Sequence, residues 1–125
     1  MLPGGTFQAI SSGIPTFGAA NCWNAITPDG RFVYVSNAGS STISGFVIDV
    51  NGRLSALPGT LVAANPAGAT NLDITVSADG KFLYTLNSRN GSIGIFAIQK
   101  DGTLKNTGSA GEIAPNSGFN GIAAN

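Results

Sequence analysis

A chain of 125 residues without a histidine has few ways to carry out acid–base chemistry. The commonest general base and the usual zinc ligand are both missing. Cys22 is the only cysteine, which excludes an intrachain disulfide. No neighbouring base marks it as a nucleophile, so it reads as a small buried hydrophobe. Carboxylates, amides and a loop arginine remain. Asp29, Asp49, Asp79 and Asp101 sit in or beside turn sequences, and turn chemistry accounts for them. Asp73, Trp23 and Asn24 lie in apolar runs instead. Asn37 and Asn87 end the runs "YVSN" and "YTLN", and Arg89 follows in "NSRNGS". A loop guanidinium of this kind can grip a carboxylate or a phosphate. The stretch "GSSTISG" lacks the Gly-Lys-Ser/Thr of a phosphate loop, and "DVNG" lacks the later ligands of a calcium loop. No cofactor and no metal is therefore expected.

The elements that must position these residues are announced by an internal repeat. "TPDGRFVYVSNAGSSTISGFVIDVNGRL" at 27–54 is answered by "SADGKFLYTLNSRNGSIGIFAIQKDGTL" at 77–104, without a gap at an offset of 50. Phe32 and Tyr34 answer Phe82 and Tyr84, Asn37 answers Asn87, and Phe46 answers Phe96. "GAAN" at 18–21 faces "GATN" at 68–71, and "SGFNGIAAN" begins the pattern a third time. A period of 40–50 residues with several strands per unit is the signature of propeller blades. Each unit reads as four strands: "CWNAIT" or "LDITVS", then "RFVYVSN" or "KFLYTLN", then "TISGFVID" or "SIGIFAIQ", then a weaker fourth near 54–63 or 104–113. Asp-Gly turns separate the first two, where positive φ is tolerated at both central positions.

The expected fold class is all-β, with β-propeller blades of four antiparallel strands and about two and a half blades in the chain. Residues 1–15 read as a lone outer strand around "TFQAIS", 16–65 and 66–115 as blades, and 116–125 as the first strand of a further blade. Phe32, Tyr34, Phe46, Phe82, Tyr84 and Phe96 are the expected core, because strands apolar on both faces must be covered on both. Two blades do not close a ring, which needs about 4 to 8. Other chains or a missing N-terminal part must complete it, and a homo-oligomer is expected. Trp23, Asn24 and Asp73 then stand where inner strands meet the mouth of a central channel. Trp23 and Asp73 occupy equivalent positions but differ in type, and Arg89 replaces Gly39 on the same rim.

At "TPDGRFVYVSNAGSSTISGFVID" the sequence resembles the lactonase-type seven-bladed propellers, the 6-phosphogluconolactonase-like family with Tyr-Val-Thr-Asn repeats. The second copy departs from that signature, reading "YTLN". The resemblance runs over residues 16–125 and corresponds to the last third of a family member. It implies a parent that hydrolyses a sugar lactone or related cyclic ester. Asp73 as base and Arg89 as holder of the developing anion would be the catalytic pair. Trp23, Asn24, Asn37 and Asn87 would contact a lactone or carbohydrate-type ligand. The other class of function is a non-catalytic module for binding and assembly. Six basic and six acidic residues cancel, so a nucleic-acid partner is not expected. The start lacks a signal peptide and no apolar run reaches membrane length, so a soluble chain, cytoplasmic by default, is expected.

Overall fold

The structure is a computed structural model that describes residues 3–125. It contains two four-stranded antiparallel sheets. Strands β1 (Asn21–Ile26), β2 (Phe32–Asn37), β3 (Thr42–Ile48) and β4 (Leu54–Ala64) form the first, in sequence order. Strands β5 (Asn71–Val76), β6 (Phe82–Asn87), β7 (Ser92–Ile98) and β8 (Leu104–Ala110) form the second in the same way. The registers repeat at the offset of 50. Phe32 pairs with Val47 and Phe82 with Ala97, and an irregularity interrupts the inner strand at Asn21/Trp23 and again at Asn71/Asp73. The sheets are blades of a propeller, and the two do not make a closed ring.

The hairpin before each aromatic strand is built by a side chain as much as by glycine. Asp29 Oδ1 accepts from the Thr27 hydroxyl at 2.6 Å and from the Arg31 amide at 3.0 Å. Asp79 does the same with Ser77 and Lys81. Gly30 alone takes positive φ, at 72°; Asp29 does not, so the Asp-Gly pair is not the two-residue turn expected. An Asx-type turn replaces it.

Alternation along β2 sends Phe32 and Tyr34 toward the second blade. There they join Ile43, Leu57, Ile74, Leu83 and Phe96 in one core. The Tyr34 hydroxyl donates to the Gly102 carbonyl at 2.7 Å, across the blade boundary. Gly102 has φ +85°, and a Cβ there would strike the Phe32 ring. Thr70 N–H donates to Ser41 Oγ, and Asn71 Nδ2 to the Thr42 carbonyl, sealing the other end of the boundary. Phe32, Tyr34, Phe46 and Phe96 are buried, as expected. Phe82 and Tyr84 are only half-buried. Their face of the second blade points away from the first, and no third blade lies on it.

Residues 6–11, expected as a lone strand, form none, and neither do 119–124. Neither segment joins a sheet among the described residues. The segment 8–16 lies instead across the free face of the first blade. Ser44 Oγ donates to the Thr16 carbonyl at 2.7 Å, and Ile10 reaches Gly52. The cover is loose: clefts of about 290 and 380 Å³ remain beneath it. No helix among the described residues is long and apolar enough to cross a membrane.

Candidate functional site

One end of both sheets carries the loops 38–41 and 88–91 and the segments leading into β1 and β5. Backbone bonds fix this rim in duplicate. Ala38 and Gly39 N–H donate to the Ala20 and Ala19 carbonyls, and Ser88 and Arg89 to those of Thr70 and Ala69. Arg89 therefore occupies the backbone position of Gly39, and its side chain is exposed on the rim.

Asn37 and Asn87 hold these loops from beneath. Asn37 Nδ2 donates to Thr42 Oγ1 at 3.1 Å and Ser44 Oγ at 2.9 Å. Asn87 Nδ2 donates to Asn65 Oδ1 at 3.0 Å and Ser92 Oγ at 3.2 Å. Both side chains are buried and bonded to neighbouring side chains. Asn87 also borders a rim notch of about 180 Å³, shared with Asn65, Asn106 and Ser109.

Asp73 is buried in β5, and each carboxylate oxygen accepts from a backbone amide. Oδ1 takes the Ile74 N–H at 2.7 Å, and Oδ2 the Ile122 N–H at 2.8 Å. The second bond ties the final stretch of chain beside β5. Arg89 is not its partner. The Arg89 amide donates to the Ala69 carbonyl, two residues before β5 begins. Among the described residues no hydrogen bond joins Asp73 to Arg89: the carboxylate is bonded to two backbone amides, and the guanidinium is exposed on the rim.

Trp23, Asn24 and Cys22 lie on β1, the most exposed inner strand. Cys22 is exposed rather than buried, since nothing among the described residues packs over it. Trp23 is 59% exposed, with its amide bonded to Ser36 Oγ. Asn24 borders the apolar cleft with Ile14, Val33 and Phe46. A further cleft of about 280 Å³ opens between the blades at the opposite end, lined by Asp29, Arg31, Asp79 and Lys100 among others. None of these four clefts is lined by Trp23, Asp73 or Arg89.

Three turn carboxylates ionise more readily than usual. The Thr27 hydroxyl, then the Arg31 amide, lowers Asp29; Ser77 and the Lys81 amide lower Asp79; the Thr103 hydroxyl and amide lower Asp101. The phenol of Tyr34 is pushed well up, first by burial and then by the negative charges of Asp101 and Asp29. Among the described residues no group of three or more His, Cys, Asp or Glu is placed to hold a metal ion.

Sequence reasoning missed Asn65 and Asn71. Each is buried, and Asn65 Nδ2 and Asn71 Oδ1 have no partner. For Asn71 a signal existed, since it answers Asn21 in the repeat. Asn65 answers Pro15 and carried none.

No curated protein matches the chain. Residues 52–112 match the family described as lactonase, 7-bladed beta-propeller. A Bacteroides fragilis structure provisionally described as a 6-phosphogluconolactonase is 28% identical, with TM-score 0.63, over 74% of this chain and 26% of its own. A Bacteroides uniformis structure described in the same way is 25% identical, with TM-score 0.64, over 78% and 28%. The periplasmic gluconolactonase of Pseudomonas aeruginosa shares the fold at TM-score 0.65 and 24% identity, over 79% and 27%. The chain thus spans little more than a quarter of the length of these structures. It is similar to part of a lactonase-type seven-bladed β-propeller, and its two sheets are blades of that fold.

Proposed function

We propose that the chain is the two-blade part of a lactonase-like propeller whose whole acts on a sugar lactone or related cyclic ester. The match of residues 52–112 to the lactonase family is the observation that carries this. Within it, Arg89 is the anion-binding group, since it stands exposed on the rim at the position of Gly39. Its guanidinium suits a phosphate on the sugar or the carboxylate that lactone opening produces. Asp73 acts as a positioning residue, holding the next inner strand by its amide. The test pairs acid release from gluconolactone and its 6-phosphate with ligand-detected NMR binding. Wild type should bind the phosphorylated lactone, and Arg89→Ala should weaken that about tenfold, as a charge-assisted contact requires. Absence of both binding and hydrolysis in the wild type refutes the reading.

The second reading is a non-catalytic binding and assembly module that self-associates. What favours it is the commitment of both Asp73 oxygens to backbone amides, which leaves the described residues without a free buried carboxylate.

A further inference from the structure

The boundary between the two blades is a template for a contact the chain does not make within itself. On the first blade, Phe32 and Tyr34 form the giving face. On the second, Leu83, Phe96, Val76, Ile98 and Leu104 receive them, with Gly102 under the Phe32 ring and at the Tyr34 hydroxyl.

Both halves of this boundary occur a second time, with no sheet among the described residues against either. The giving face recurs as Phe82 and Tyr84, whose rings stack at 6.5 Å and stay partly exposed. The receiving face recurs on the first blade as Val33, Phe46, Ile26, Ile48 and Leu54, with Gly52 in place of Gly102. Phe46, Ile48 and Leu54 are identical to their counterparts, and Val33 and Ile26 are conservative replacements for Leu83 and Val76.

The present cover of the receiving face is a poor substitute. Where Phe32 lies over Gly102, Ile10 lies near Gly52, with its Cδ1 3.0 Å from where a Cβ would stand. Ile10 is itself 55% exposed, and the clefts under its segment are bordered by Val33, Phe46, Ile48 and Leu54. That segment forms no ladder. Loosely packed apolar surface of this kind gains by closer contact.

We propose that the Phe82–Tyr84 face of one copy docks on the Val33–Phe46 face of a second copy, head to tail, reproducing the internal boundary between chains. The Tyr84 hydroxyl then donates to the Gly52 carbonyl of the next copy. The arriving β8 takes the place of the segment 4–14, and the arriving β1 takes that of residues 119–125. The Asp73 carboxylate exchanges the Ile122 amide for the Cys22 amide of the neighbour. The contact is heterologous, so it builds a ring if the rotation closes and a filament if not. It follows from the repeat and holds whether or not the lactonase reading does.

The experiment is sedimentation and light scattering from micromolar to sub-millimolar concentration, on the wild type, Tyr84→Ala, Tyr84→Phe and Ile48→Lys. Wild type should grow in mass with concentration. Tyr84→Ala should weaken association about tenfold or more, as a central aromatic anchor does, and Tyr84→Phe by less. Ile48→Lys breaks the other face. Mixing it with Tyr84→Ala should restore one good contact per pair, giving one-to-one complexes and nothing larger. Circular dichroism checks that each variant is folded, and Tyr84→Phe alters no packing volume if Tyr84→Ala fails that check. A wild type that stays monomeric throughout overturns the proposal. So does association unaffected by Tyr84→Ala and Tyr84→Phe, which would assign it to another surface.

Discussion

Tyr34 and Tyr84 hold the same position in the repeat, yet only one has a partner blade, and replacing each by phenylalanine separates what the boundary contributes. Tyr34 is fully buried, and its hydroxyl donates to the Gly102 carbonyl at 2.7 Å. Tyr34→Phe removes one oxygen, keeps the ring, and leaves a buried carbonyl without its donor. Leaving a buried acceptor unsatisfied costs about 1–3 kcal/mol. At this chain length each kcal/mol lowers the melting temperature by roughly 3–5 °C, so the expected drop is a few degrees at least. Tyr84 is only partly buried, and its hydroxyl is not among the buried polar atoms left without a partner, so water can serve it. Tyr84→Phe should therefore stay within about 0.5 kcal/mol of wild type. Urea unfolding followed by far-UV circular dichroism measures both, in dilute solution so that association does not contribute. Equal losses in the two variants, or no loss in Tyr34→Phe, would refute the assignment of Tyr34 to a dry boundary between blades.

Alkaline stability tests the same boundary through its proton. Burial raises the Tyr34 phenol, so above pH of about 10 the unfolded chain releases a proton that the native chain keeps. The stabilisation present below that pH is lost as pH rises, by about 1.4 kcal/mol per unit, until the native phenol also ionises. Wild type should show this slope, Tyr34→Phe should lack it, and parallel pH profiles for the two would contradict it. For Asp73, hydrogen exchange is the readout. Asp73→Asn should speed exchange of the Ile122 amide about tenfold, because the acceptor loses its charge. Unchanged exchange there would show that residues 119–125 are held by other contacts.

The blades were legible in the sequence because their cause is local and repeated. Strand positions follow from alternating apolar residues and turn chemistry, and two copies at an offset of 50 state the pattern twice. The burial of Phe32, Tyr34, Phe46 and Phe96 follows too, since a strand apolar on both faces needs two covers. The same pattern misled at Phe82 and Tyr84: identical residues carry an identical demand, but only a neighbour in space can meet it, and among the described residues no sheet lies against theirs. Cys22 came out exposed for that reason, at the other end of the stack. The segment 6–11 has strand-like composition yet forms no strand, because a ladder depends on partners that local sequence does not encode. Candidate site residues were legible as types and not as a constellation. Asp73 and Arg89 stand out by departing from their counterparts in the repeat. Only the folded chain shows that the Asp73 carboxylate faces the amides of Ile74 and Ile122, while Arg89 stays on the rim. Periodicity sets which face of a strand a side chain takes; what lies opposite that face depends on how the sheets stack.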